Sequence, residues 1–429
     1  MRLTILHTND IHGRQERIAQ IATLVREEKA RAEHQVLYLD AGDVEDPSNH
    51  LSNVTRGTAM HRLLGQALCD AATVGNASWL RYGADVLGEH ARVSPFPQLL
   101  ANFTPVSGPV PYVLFGEVGV FGLTAPLRGM FEGIDWGFDA LDELEVARRC
   151  CHALRGKGAH FVVLLSHLGL DVPGEPWDDR RLAAELQDDL DLIVGGHTHQ
   201  LLPEGERVGR VLIVHAGEFG DHVGRVAVDG KTISASMIAV SAELEPHPSV
   251  ETEARRIERE VVELLSEPIG VLDERLDAAW VAQMLRVRMH ADVGLFAEGL
   301  VVGTLPAGLL TRGALWEFSP TGNNPGIAEM TGRQLRDLLR RAANPAVVAD
   351  TPKPLRGRRR GRLFVAGLNP EQIDDERLYT VAATDWVLDS YGGYTKKEWA
   401  LQVRYDFPIT IREAIEAALH DQSKGISHS

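Results

Sequence analysis

Five times before His199, a run of apolar residues patterned like a buried β-strand stops at a short turn carrying an aspartate, an asparagine or a histidine. The clearest case is Asp191-Leu192-Ile193-Val194-Gly195-Gly196-His197-Thr198-His199. Its apolar end predicts a strand and its glycines predict a sharp turn. Its two imidazoles sit two positions apart, where extended backbone directs both rings towards one place. A neutral imidazole donates to a metal ion without a large pKa shift, so the pair is a candidate metal grip. The other junctions are Leu3 to His7 running into Asp10 and His12, Val36 to Leu39 into Asp43, Ala71 to Val74 into Asn76, and Phe161 to Leu165 into His167. Singly, Asp43 and Asn76 are ordinary turn residues. The repetition is what constrains the chain. Helical stretches at about 15–33, 55–68, 140–156 and 178–189 lie between the strands and predict an α/β architecture. In open sheets of that class the carboxyl ends of the strands share one rim. Asp10, His12, Asp43, Asn76, His167, His197 and His199 would then converge. Four imidazoles, two carboxylates and an amide oxygen suit two borderline divalent ions such as Mn, Zn, Fe or Co. Asp43, with two oxygens to offer, suits a bridge.

Composition narrows the partners. A formal net charge of -16 argues against a nucleic-acid-coating surface. An anionic substrate would need local cations, which metal ions supply. The 429 residues leave room for two or three domains. Cys69, Cys150 and Cys151 read as buried thiols and not as a disulfide framework. The chain opens on Met1-Arg2-Leu3 with no leader pattern and holds no run of 18 apolar residues. The expected setting is the cytoplasm, with no membrane span.

Leu6-His7-Thr8-Asn9-Asp10-Ile11-His12-Gly13, Gly42-Asp43, Gly75-Asn76, Ser166-His167 and Gly196-His197-Thr198-His199 resemble, in that order, the motifs of the 5'-nucleotidase branch of the calcineurin-like metallophosphoesterases. The resemblance extends over nearly the whole chain. It implies a four-layer α-β-β-α sandwich over 1–245, a linker helix over 246–267 and a smaller α/β substrate-binding domain over 268–429. It also implies that Asp10, His12, Asp43 and His199 hold one ion and Asn76, His167 and His197 the other, with Asp43 bridging. The implied reaction is in-line attack on a phosphate ester by a hydroxide held between two ions, Mn or Zn first among them, with no organic cofactor. A nucleotide, or a related phosphomonoester or cyclic phosphodiester, is the implied substrate.

The departures matter as much. Where this family carries a histidine after the asparagine, and an aspartate three residues further that orients it, this chain has Ala77 and Leu80. Neither side chain can donate to a phosphoryl or leaving-group oxygen. His50 and Arg81 are the candidate substitutes. Gly303 to Thr311 and Met330 to Leu335 resemble the family's second domain. Its recognition asparagine and arginine are replaced by Ala297 and Val302, and Pro320-Thr321-Gly322-Asn323 stands in place of a stacking phenylalanine. Trp386 and Tyr394, with Asn323, remain as candidate nucleobase contacts. The basic stretch 353–362 reads as a solvated loop or as an attractor of polyanions. Two alternatives stand beside phosphoester hydrolysis. One is a metal- and nucleotide-binding protein with little turnover, the other a hydrolase of a non-nucleotide, sulfur-linked ester.

Overall fold

Strand β1 (Arg2–Thr8) buries both of its faces, Leu3 and Ile5 on one and Leu6 on the other, as a strand covered by layers on each side must. It pairs in parallel with β2 (Gln35–Asp40), which pairs with β3 (Ala71–Thr73), which pairs with β4 (Gln98–Leu99). The computed structural model describes residues 1–128, 134, 136–344, 361–389 and 393–425. They divide into two compact units, 1–261 and 262–429. The basic stretch Lys353 to Arg360 lies outside the described residues, as does Tyr391.

In the first unit, β6 (Tyr112–Phe115) and β7 (Val118–Thr124) form the hairpin expected around Gly116 and Glu117. Strands β7, β9 (Phe161–His167), β10 (Leu192–Gly195) and β12 (Val211–His215) run parallel in a second sheet. The hairpin strands β13 (His222–Asp229) and β14 (Thr232–Ala239) close the first sheet beyond β1. Among the described residues each sheet has six strands, the second ending at β11 (Glu206–Val208), while β5 (Phe103–Thr104) and β8 (Asp139–Ala140) pair outside both. Apolar residues from both, including Ile5, Leu39, Val120, Val163, Leu165, Leu192 and Val214, meet between them in one buried cluster. The alternate residues Val162, Leu164 and Ile193 face outwards, against Ala147, Cys151 and Leu154 of helix α6 (Glu143–Gly156) and Leu182 and Leu186 around α7 (Asp179–Glu185). Helix α1 (Gln15–Arg31) buries Ile18, Ile21, Ala22 and Val25. The strand ends that share the rim belong to two facing sheets, as the expected α-β-β-α sandwich requires: β1, β2 and β3 on one side, β9 and β10 on the other.

Two local expectations are corrected. The helix predicted over 55–68 is shorter, α3 (Thr58–Gln66), and an unpredicted helix, α2 (His50–Val54), precedes it across a turn that ends at Gly57. Gly57 has φ +82°, and a Cβ there would lie 2.8 Å from Glu45 Cγ and from His90 Nε2. Asn76, read as a turn residue, opens helix α4 (Asn76–Tyr82), and α5 (Val86–Val93) follows it.

Helix α8 (Pro248–Ser266) buries Val250, Ala254, Ile257 and Val261, an apolar stripe at helical spacing. Among the described residues of the second unit, strands Val293–Ala297, Pro325–Thr331, Leu363–Ala366, Leu378–Thr384 and Val403–Tyr405 form one five-stranded sheet. The helix Gly332–Ala342 begins with a capping box between Thr331 and Gln334 and buries Leu335 and Leu338.

Candidate metal centre

The seven side chains sit on the turns that leave β1, β2, β3, β9 and β10, and a chain of short contacts links them. His12 Nε2 lies 3.0 Å from His199 Nε2, and His199 Nε2 lies 3.4 Å from Asp10 Oδ1. His167 Nε2 lies 3.9 Å from Asp10 Oδ1 and 3.3 Å from Asp43 Oδ2. His197 Nδ1 lies 2.8 Å from Asn76 Oδ1, and its ring centroid is 5.2 Å from that of His167. The two rings of the His-Thr-His turn therefore serve opposite ends of the cluster, and do not point at one spot.

Backbone strain accompanies the convergence. Asp10, His12, Asp43, His197 and His199 all lie at positive φ, between 48° and 73°. Residues other than glycine seldom adopt that region, and it concentrates at functional sites. The sequence reading assigned the sharp turn to Gly195 and Gly196, and this is corrected. The histidines carry the left-handed backbone, while the glycines are needed for space. A Cβ on Gly195 would sit 2.1 Å from His215 Nε2, and one on Gly196 would sit 3.0 Å from Asp10 Oδ2.

Hydrogen bonds fix which atoms are left over. His167 Nδ1 is 2.7 Å from the Ala41 carbonyl and His12 Nδ1 is 3.3 Å from the Glu45 carbonyl. A carbonyl only accepts, so each Nδ1 carries the proton and each neutral ring keeps its Nε2 lone pair. His199 Nδ1 contacts the Glu218 carboxylate, with the same result. Asp10 Oδ2 accepts from Asn9 Nδ2 and from the His197 amide, which leaves Oδ1. Asp43 Oδ1 accepts from the Ala77 amide, which leaves Oδ2. Asp10 Oδ1 and His167 Nε2 are buried with no hydrogen-bond partner. Lone pairs on His12, His199, His167 and Asp10 thus face one another across 3.0–3.9 Å, an arrangement that demands positive charge between them.

The titration behaviour follows the same demand. Burial is the largest influence on His167 and lowers its pKa, but the charges of Asp43 and Asp10 outweigh it and push the ring up to about 10. Without an ion, a proton on Nε2 therefore takes the place of the positive charge, and the lone pair is freed when an ion displaces it. His197 goes the other way, to about 4, through burial and the neighbouring His167. Burial raises Asp10 and Asp43, yet the surrounding histidines hold both below the usual carboxylate range. Asp10, His12 and His199 form one set of groups able to hold a cation, and Asp10, Asp43 and His167 another. The donor set fits divalent ions.

A calcineurin-like phosphoesterase family model matches residues 3–201, across all seven of these positions. The chain belongs to that family. A second model, the 5'-nucleotidase C-terminal domain, matches residues 272–398, so this phosphoesterase carries the branch's two-domain arrangement. The uncharacterized metallophosphoesterase YunD of Bacillus subtilis is 27% identical over 90% of this chain and 92% of its own length. Two longer Bacillus subtilis relatives are the trifunctional nucleotide phosphoesterase YfkN, 26% identical over 79% of this chain, and the endonuclease YhcR, 24% identical over 81%. This chain spans only 27% and 33% of them. Among solved structures, the 5'-nucleotidase precursor of Thermus thermophilus aligns over 98% of this chain and 97% of its own, at 22% identity and TM-score 0.61. The sulfate thiohydrolase SoxB of Thermus thermophilus aligns over 98% and 94%, at 19% identity and TM-score 0.57. At those identities the structures establish a shared fold.

The remaining candidates are dispersed. His50 is exposed at the start of α2. Arg81 is buried in α4 with its guanidinium 5.0 Å from the Tyr82 ring. Ala77 and Leu80 lie on the same helix, where Leu80 packs against a cluster built around Trp79. In the second unit, Asn323 Nδ2 donates to Asp385 at 2.7 Å. Trp386 stands edge-on to Tyr394 at 5.6 Å. Tyr394 is wholly buried, so its ring offers no face to a nucleobase here. Sequence reasoning missed Glu218 and Phe219. Phe219 lies at φ +59° and its amide donates to the Asp10 carbonyl. Its ring is 6.0 Å from that of His12, with Arg14 stacked over it at 4.8 Å. The signal was present in Gly217-Glu218-Phe219-Gly220, a glycine-flanked turn after a strand.

Proposed function

We propose that this chain hydrolyses a phosphate ester, a nucleotide or a related phosphomonoester or cyclic phosphodiester, with two divalent ions seated at the rim. Asp10, His12, Asp43 and His199 would hold one ion and Asp43, Asn76, His167 and His197 the other. The observation that carries the assignment is the outward anchoring of His12, His167 and His199 through Nδ1, which aims their Nε2 lone pairs inwards at Asp10 and Asp43. When bound, such ions acidify a water and neutralise charge on the phosphoryl oxygens. The protein's own part is positioning. Glu218 orients His199, the Ala41 carbonyl orients His167, and the Ala77 amide fixes which Asp43 oxygen is free.

Ala77 and Leu80 give the leaving oxygen no side-chain donor, which favours substrates with good leaving groups, or His50 or Arg81 as a substitute. The same two positions support the alternative of a metal- and nucleotide-binding protein with little turnover. The fold shared with SoxB keeps a sulfur-linked ester as the other alternative. Among the described residues no helix is long and apolar enough to cross a membrane. Three free, buried cysteines fit the cytoplasm.

The test is turnover of p-nitrophenyl phosphate, its bis-ester and a nucleotide panel with Mn. Metal-dependent hydrolysis lost in Asp43→Asn and His197→Ala supports phosphoesterase chemistry. Nucleotide binding without turnover under any metal would support the binding protein.

A further inference from the structure

Behind the rim lies a second convergence of metal-competent side chains, drawn from three different elements. Glu45 is on the loop after β2, His61 in α3 and His90 in α5, and all three are buried, at 1%, 5% and 0% exposure. Their ligand atoms lie within 4.8 Å of one another. Glu45 Oε1 is 2.5 Å from His61 Nε2, 2.8 Å from Ser78 Oγ and 3.2 Å from His90 Nδ1. A carboxylate oxygen has two lone pairs, and the His61 and Ser78 contacts occupy them. The third group is left over, because His90 Nδ1 makes no acceptable hydrogen bond.

The other nitrogen of His90 settles its tautomer. Nε2 lies 2.6 Å from the Arg56 carbonyl, which can only accept, so the proton is there and Nδ1 of the neutral ring is a bare lone pair. That lone pair points at a carboxylate oxygen in a fully enclosed space. Two such groups face each other stably only with positive charge between them. His61 differs: the Gln98 amide N–H donates to its Nδ1 at 2.8 Å, so the proton of the neutral ring sits on Nε2 against Glu45. Ligation through Nε2 requires that proton to move to Nδ1 and the Gln98 amide to turn over. Two imidazoles and a carboxylate, one from each element and with His90 anchored from behind by the Arg56 carbonyl, form a ligand set that zinc-class ions take.

We infer that Glu45, His61 and His90 form a further, wholly enclosed divalent-cation site, separate from the rim and structural in role. Its effect on the rim is positional. Glu45 follows Asp43 by two residues, and Ser78, which Glu45 also holds, follows Asn76 by two. An ion here ties the loop of Asp43 and the helix of Asn76 to α3 and α5, and so sets their spacing. Gly57 belongs to the same device, since any side chain there would collide with Glu45 and His90.

Zinc bound per chain, measured by atomic emission on full-length protein purified from zinc-supplemented cells without chelation, tests this. Wild type is expected to carry three ions, His90→Gln and His61→Gln two, and Asp43→Asn to retain the enclosed one. Equal zinc in wild type and in folded His90→Gln overturns the site. A single ion that survives Asp43→Asn but not His90→Gln refutes the rim and leaves this site standing. Should both histidine variants fail to fold, wild-type crystals at the zinc edge decide. A peak at about 2.1 Å from Glu45, His61 and His90 is expected; its absence means that a proton on His90 supplies the charge.

Discussion

Gly75→Ala separates crowding at the rim from any effect of backbone strain. Gly75 has φ -87° and ψ 172°, which alanine adopts freely. The added Cβ would nevertheless lie 2.0 Å from Asp43 Oδ1, 2.3 Å from Asp43 N and 2.7 Å from Asp43 Cγ. Ordinary contact lies near 3.5 Å, so the carboxylate has to retreat by more than about 1 Å. Overpacking costs about 1–3 kcal/mol, offset by about 0.4–1 kcal/mol as alanine restricts the unfolded chain. The larger effect falls on function. A ligand displaced by about 1 Å costs on the order of 100-fold in rate, and a disturbed ligand environment about 10- to 100-fold in metal affinity. Manganese activation curves with p-nitrophenyl phosphate, calorimetric manganese titration and thermal melts measure the three quantities separately. Gly156→Ala is the control, a helical glycine with nothing within 4 Å of its would-be Cβ, and it should leave all three unchanged or slightly stabilise. Wild-type manganese affinity and turnover in Gly75→Ala would refute the placement of Asp43.

Glu218→Gln removes the charge that anchors His199, and should weaken manganese activation about 10-fold or more while the melting temperature of the chelated protein stays put. Ala77→His combined with Leu80→Asp restores a donor beside the rim and should raise the rate on poor leaving groups by up to about 10²–10³-fold; no change would mean that another residue already donates. Burial pushes the Asp40 carboxyl up to about 7 against its hydrogen bonds from Thr8 and Gly42. Because the folded pKa is raised, Asp40 stabilises fully below about pH 4, and that contribution is lost as the pH rises through 7. Asp40→Asn should therefore gain on wild type between pH 5 and pH 8, by up to about 4 kcal/mol in chelator, and parallel pH profiles would contradict the cause given. Leu165→Ala, a wholly buried position between the sheets, should cost about 2–5 kcal/mol in urea unfolding.

The strands that carry the site were legible because each is a short apolar run cut off by a polar turn. The pattern of Val162 to Leu165, apolar at every position, also announced burial on both faces. Residue types at the rim were legible for the same reason. Their backbone was not. An Asp-Ile-His run looks extended, and only the fold forces Asp10 and His12 to positive φ by bonding their amides to the Gly42 and Asp43 carbonyls. Glu218 and the Glu45 cluster stayed hidden because their partners are distant in sequence or lie on helices with no repeated motif. Nothing in the sequence around His61 or His90 marks either residue, and only α3 and α5 bring them to one carboxylate. The late start of the expected helix, after Gly57, has the same origin, since Gly57 packs against residues 12 positions before it and 33 after it.

The central claim is that lone pairs from two facing sheets converge on ions at a single rim. Anomalous diffraction at the manganese edge from crystals grown with Mn tests it most directly. Two peaks are expected on either side of Asp43, one among Asp10, His12 and His199 and the other among Asn76, His167 and His197. No anomalous density at the rim, or a single peak that leaves either group of ligands unused, would contradict it.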